Sequence, residues 1–277
     1  MNKLNFMLNR HVLSALCAAP LLFNGAYALA EEAAPAAVVA AAPAEPAPPY
    51  TLTFNLGTYS NYMFRGVALS DGPALQGGID FAHSSGFYAG TWFSNIEANY
   101  NYGNHLETDW YAGYAYTFAN GIGLNAMGNY YWYPDGNRTA IDKKEDAFEA
   151  SIGVSYKWLT YTYFDVLTDY YGAASNSKNA KYHELKAAYK LPVGDLNLLV
   201  KVGYANVPKV VGNANQGDYT IALSRDFSLP GASKPIEGFN AGAMLTDTFN
   251  VKDQGYYVSG DRDTNERQLT FYIKRTW

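Results

Sequence analysis

The chain has 277 residues, 20 basic against 25 acidic side chains, a net charge of −5, and 25 tyrosines. That balance excludes the basic footprint of a nucleic-acid binder, and one cysteine, Cys17, excludes a disulfide framework. Beyond residue 30 no run of apolar residues reaches the length of a spanning helix, which excludes a helical inner-membrane protein.

The first ten residues carry Lys3 and Arg10 and no acid, residues 12–23 are mostly apolar, and Ala28-Leu29-Ala30 precedes Glu31. This is the pattern of a secretory signal peptide over 1–30, cleaved after Ala30 or, alternatively, within Ala26-Tyr27-Ala28. Its apolar stretch is too short to span a bilayer. Cys17 leaves with it, and Leu16 before it argues against lipidation. The mature chain is then cysteine-free. Without Lys3 and Arg10 it keeps eighteen bases against twenty-five acids, a net of −7. Residues 31–49 are almost entirely Ala, Pro, Glu and Val and read as an extended, disordered leader that acts as a spacer.

From Tyr50 onward the side chains alternate. Successive residues of a strand point to opposite faces, so alternation with period two marks a strand with one apolar and one wet face. Twelve such segments occur, at 51–65, 75–82, 87–95, 107–118, 122–133, 148–158, 161–170, 182–190, 196–204, 218–227, 238–248 and 267–277. In the sixth, Phe148, Ala150, Ile152, Val154, Tyr156 and Trp158 interleave with Glu149, Ser151, Gly153, Ser155 and Lys157. Each segment has the length of a tilted membrane strand. The joins after odd segments are long and polar: 66–74, 96–105, 134–146, 171–181, 205–217 and 249–266. Those after even segments are shorter, with the stretch from Ser228 to Pro235 the exception. Short turns on one side and long loops on the other are the habit of outer-membrane barrels. The fold class expected is all-β: a transmembrane antiparallel up-and-down β-barrel of twelve strands over 50–277. Tyrosine suits its water–lipid boundaries.

Residues 50–96 contain Ser60-Asn-Tyr-Met-Phe-Arg-Gly66, Ser70-Asp-Gly-Pro-Ala-Leu-Gln-Gly-Gly78 and Ser85-Gly-Phe-Tyr-Ala-Gly-Thr-Trp-Phe-Ser-Asn95. This stretch resembles the proteobacterial TorF-type putative porins, a family without known function. The resemblance implies an outer-membrane barrel and passive transport, and brings no substrate or catalytic residue. The Ala/Pro leader is not part of that motif. Leu269, Phe271, Ile273 and Trp277 share the apolar parity of the last segment, and Trp277 closes the chain. That ending is read as the signal for the barrel-assembly machinery. Arg275 stands where an apolar or aromatic residue is usual, and can snorkel.

The lumen is the candidate site. On the wet parity stand Asp80, Glu107, Asp109, Glu149, Lys157, Glu184, Lys186, Lys201 and Lys274. Arg65 belongs to the polar parity of the first segment; it faces the lumen, or sits at the external rim, binding lipid phosphate or pairing with Asp71. Basic residues facing lipid near the midplane would cost about 2–4 kcal/mol, so any barrel turns them inward. Twelve strands enclose more than the filled eight-strand case and less than a general porin, so a narrow pore partly filled by side chains and a folded loop is expected.

Other motifs carry little. His83, His105 and His183 fall in a turn, a loop base and an apolar parity, and no nucleophile elbow accompanies them. Gly121-Ile-Gly-Leu-Asn-Ala126 matches a dinucleotide fingerprint but opens a strand. The segment from Asp261 starts like a calcium loop yet has Glu266 and Tyr272 where glycine and glutamate belong. The Asn137 sequon has no meaning in a bacterial exporter. The sequence therefore reads as an outer-membrane porin, passing small hydrophilic solutes or ions without catalysis, cofactor or metal. Its partners are membrane lipid and the assembly machinery. A barrel acting through external loops, or a membrane-embedded hydrolase, is the alternative.

Overall fold

The computed structural model describes residues 48–101, 103–135, 145–171, 177–207, 214–259 and 261–277. The expected signal peptide, most of the leader and the Asn137 sequon lie outside them. In chain order the strands are β1 (Tyr50–Tyr59), β2 (Met63–Phe64), β3 (Val67–Ala68), β4 (Ala74–His83), β5 (Phe87–Asn95) and β6 (Leu106–Thr117). There follow β7 (Ile122–Trp132), β8 (Ala147–Tyr156), β9 (Leu159–Val166), β10 (Lys181–Lys190) and β11 (Leu196–Asn206). The last are β12 (Gln216–Leu229), β13 (Ile236–Phe249), β14 (Val258–Ser259), β15 (Arg262–Asp263) and β16 (Gln268–Thr276).

Among the described residues, twelve of these close into an antiparallel barrel, with β1 pairing to β4 on one side and to β16 on the other. Every other barrel strand pairs with its neighbours in sequence, so the barrel is up-and-down. Closure removes the edges that an open sheet leaves unpaired. The two two-residue hairpins, β2–β3 and β14–β15, stand outside the wall. Joins alternate as the sequence implied: 84–86, 118–121, 157–158, 191–195 and 230–235 at one end, and 60–73, 96–105, 133–146, 167–180, 207–215 and 250–267 at the other. No helix among the described residues is long and apolar enough to cross a membrane.

Period two sets the two faces. Along β8, Phe148, Ile152, Val154 and Tyr156 point out, whereas Glu149 and Ser151 are buried inside. The same holds for Trp110 and Tyr114 against Glu107 and Asp109 on β6, and for Leu269, Phe271 and Ile273 against Thr270 and Tyr272 on β16. Exposed apolar bands are rare on monomers in water and mark a surface that meets a membrane or a partner.

Two expectations need correcting. The first strand ends at Tyr59, not at residue 65, because the chain leaves the wall and turns back as the β2–β3 hairpin. Arg65 is the turn residue of that hairpin and has no strand parity. Lys157 is likewise not on the wet face of a strand. It is exposed in the two-residue β8–β9 turn, with φ of +54° and its ammonium 5.2 Å from the Tyr156 ring centroid.

Candidate functional site in the barrel lumen

The inward faces gather most of the charged side chains that the sequence singled out. Glu107, Asp109, Glu149, Lys186, Lys201 and Lys274 are buried there, and Asp80 and Glu184 are half-buried on the same faces. Lys186 and Lys201 are paired across β10 and β11, and the Lys201 ammonium lies 3.3 Å from Asp218 on β12. Asp80 accepts hydrogen bonds from Tyr111 and, at 3.4 Å, from Asn55. Acids crowd the β4–β8 arc, while Lys186, Lys201 and Lys274 stand on β10, β11 and β16.

Across this lumen reaches the β2–β3 hairpin. Its two turn residues, Arg65 and Gly66, have φ of +48° and +83°. Two successive positive φ values make a tight turn that matches the twist of the flanking strands. At Gly66 a Cβ would lie 2.6 Å from Thr248 and 2.9 Å from Asp218, so only glycine fits against β12 and β13. Arg65 pays about 1–2 kcal/mol for its left-handed backbone. In return its guanidinium makes a bidentate pair with Glu149, 2.8 Å on each arm. The rings of Phe64, Phe164 and Tyr182 lie 4.8, 4.7 and 4.2 Å from the guanidinium carbon. Planar guanidinium suits both the carboxylate fork and the aromatic faces. Gln216 donates to the Arg65 carbonyl at 3.1 Å, tying the turn to β12. Of the alternatives open for Arg65, pairing with Asp71 at the rim does not occur: Arg65 pairs with Glu149 and Asp71 with Arg262.

Between this hairpin and the long-loop end lies a second acidic group. Tyr62 donates to Glu107 at 3.4 Å, and Asn129 donates to Asp109 at 3.1 Å. In the loop above, Asn104 donates to Glu145, whose carboxyl burial pushes up to about 8. The long loops also hold one another. Ala68 N–H donates to the Thr264 carbonyl at 2.6 Å, and the Ser259 hydroxyl to the Asn99 carbonyl at 2.9 Å.

Sequence reasoning placed tyrosine at membrane boundaries and missed its second use. Tyr62, Tyr131, Tyr133 and Tyr182 are buried inside, against carboxylates and Arg65. The signal was present, since Tyr131 and Tyr182 share the parity of Asn129 and Glu184. The histidines stay peripheral: His83 contacts Ser85 at 2.8 Å, His105 lies 3.3 Å from Asp135, and His183 faces outward beside Tyr161. Among the described residues no group of three or more His, Cys, Asp or Glu is arranged to hold a metal ion.

A family model described as "Bacterial protein of unknown function (Gcw_chp)" matches residues 43–277. No protein of curated function matches the sequence. Among solved structures, the KdgM porin in complex with disordered oligogalacturonate is similar at 6% identity and a TM-score of 0.49, over 82% of this chain and 98% of that one. Salmonella typhi OmpF in complex with daunomycin is similar at 10% identity and a TM-score of 0.43, over 82% of this chain and 97% of that one. At these identities and scores, neither likeness transfers a substrate or a mechanism. The TorF-type name is not among the descriptions that match.

Proposed function

This chain belongs to the Gcw_chp family of bacterial proteins of unknown function, and we propose that it is an outer-membrane channel for passive diffusion of small hydrophilic solutes or ions. One observation carries the reading. Around a closed wall, apolar side chains look outward and charged ones inward. Among β structures, only a closed barrel satisfies every backbone group in hydrocarbon while leaving a polar interior. The short turns then belong to the periplasm and the long loops to the outside. Residues 1–30 act as the export signal, and the strand ending at Trp277 is what the barrel-assembly machinery reads. The likeness of residues 50–96 to TorF-type putative porins supports the same reading.

The inward-facing charges named above line the solute path, Lys157 in its exposed turn taking no part, and the Arg65 hairpin narrows it. Their chemistry calls for no cofactor, and diffusion for no energy source. Refolded full-length mature protein in planar bilayers tests this. Discrete conductance steps in potassium chloride are expected, and silence across several salts overturns the reading. Replacing Lys186 or Lys201 by glutamate shifts the reversal potential toward cations.

A further inference from the structure

Arg65 shows how this lumen holds a cation: one buried carboxylate, bidentate, and three aromatic faces within 4.8 Å. A second arrangement of the same kind lies along β6 and lacks a cation of the protein's own. The pairing register places Asp109 between Trp92 of β5 and Tyr131 of β7, all three buried and facing inward. Glu107 is the next inward residue on β6 and is covered by Tyr62, whose ring packs edge-on to Trp92 at 5.4 Å. Glu107 and Asp109 are 1% and 5% exposed, and no basic side chain pairs with either among the described residues.

The hydrogen-bond count of this patch points the same way. Glu107 Oε2, Asp109 Oδ1 and Asn129 Oδ1 are buried acceptors without a hydrogen-bond partner among the described residues, although Tyr133 as well as Tyr62 bonds the Glu107 carboxyl. Asn129, 1% exposed, lies against the Asp109 carboxylate, to which its Nδ2 donates. Against these three acceptors there is one orphan donor, Trp92 Nε1. Buried acceptors left unpaired cost about 1–3 kcal/mol each, and buried carboxylates more. A bound cation with several N–H groups answers all three acceptors and stacks on the rings.

We propose that Glu107, Asp109 and Asn129, walled by Trp92, Tyr131 and Tyr62, form a binding site for a singly charged, weakly hydrated cation of the ammonium or guanidinium class. Two carboxylates and a carbonyl flanked by aromatic faces suit such an ion better than a divalent metal, which requires more oxygen ligands and keeps its water. The site rests on the channel reading in one respect only: the cation reaches it through the lumen, so the channel would favour cationic solutes.

The test uses refolded full-length mature protein and the isosteric double variant Glu107→Gln/Asp109→Asn, with heat-modifiable gel mobility as the folding control. In bilayers, cation-over-anion selectivity is expected, along with conductance block by methylguanidinium chloride that weakens at least tenfold in the double variant. Calcium chloride serves as the comparison and blocks less. Isothermal titration of methylguanidinium into the protein in detergent is expected to show binding that the double variant loses. If the protein is silent in bilayers but this heat is present and lost in the variant, the channel reading fails and the site stands. A conducting channel with no cation preference overturns the proposal, as does titration heat that is absent or unchanged in the variant. Either result would mean that protons and hydration alone serve these oxygens. Tighter binding of calcium than of methylguanidinium overturns the assigned ligand class.

Discussion

Arg65 concentrates the account at the scale of a single residue. Its sequence neighbours, an alternating run up to Phe64, place it on a strand; the Arg-Gly pair that follows is a turn in which both residues take positive φ. Nothing local to Arg65 could have named Glu149, which is 84 residues away. Removing one partner of a buried pair leaves the other charge uncompensated, typically at a cost of 3–5 kcal/mol. Arg65→Ala is therefore expected to undock the hairpin and raise single-channel conductance, with Arg65→Lys intermediate because it loses the bidentate fork. Conductance unchanged by Arg65→Ala would mean that the hairpin does not narrow the path. Glu145 gives a pH dependence. Its folded pKa of about 8 lies above the ordinary carboxylate value of about 4.3. Its contribution is thus complete below that ordinary value and is lost as pH rises through about 8. The unfolding temperature of the refolded barrel is expected to fall progressively between about pH 4 and 8 and to level off above that, and the Glu145→Gln variant to lack this component.

At the scale of elements, alternation was enough to place the wall. Each of the twelve wall strands overlaps its segment, and β5 spans the expected residues 87–95. Parity read along β6, β8 and β16 also assigned inside and outside correctly, because the pleat allows only two faces. The short elements were not legible. The β2–β3 hairpin has two residues per strand, too few to alternate, and its place is set by contacts with β8, β9, β10, β12 and β13. The inward tyrosines were hidden for a related reason. A tyrosine is apolar enough to read as an outer residue, and only the neighbouring strand shows whether there is room inside. At Gly203 a Cβ would collide with the Tyr182 hydroxyl, so the glycine makes the space that lets this ring lie across the wall beneath Arg65. Outward positions make a separate prediction. Ile152 is 63% exposed on β8. With acyl chains around it, Ile152→Arg near the midplane should destabilise the folded barrel by about 2–4 kcal/mol in bilayer refolding titrations. A change near zero would mean that this face meets water.

For the molecule as a whole, the sequence could set the number of strands and the alternation of joins, and these imply a closed cylinder. It could not set how the cylinder is filled. That depends on loops meeting across the mouth, as when the 250–267 loop reaches Ala68 and Asn99. It also depends on charges from distant strands meeting inside, as with Lys201 and Asp218. In the proposed channel, lipid lies against one parity and water against the other. Cys17 is the only cysteine of the chain, so protein prepared from Glu31 onward allows single cysteines to be introduced and spin-labelled one at a time along β8, from Phe148 to Tyr156, in refolded vesicles. Collision rates with oxygen and with a water-soluble nickel chelate should alternate with period two. Oxygen is predicted to dominate at 148, 150, 152, 154 and 156, and the chelate or burial at 149, 151, 153 and 155. Uniform accessibility along the strand, or the opposite alternation, would contradict the account.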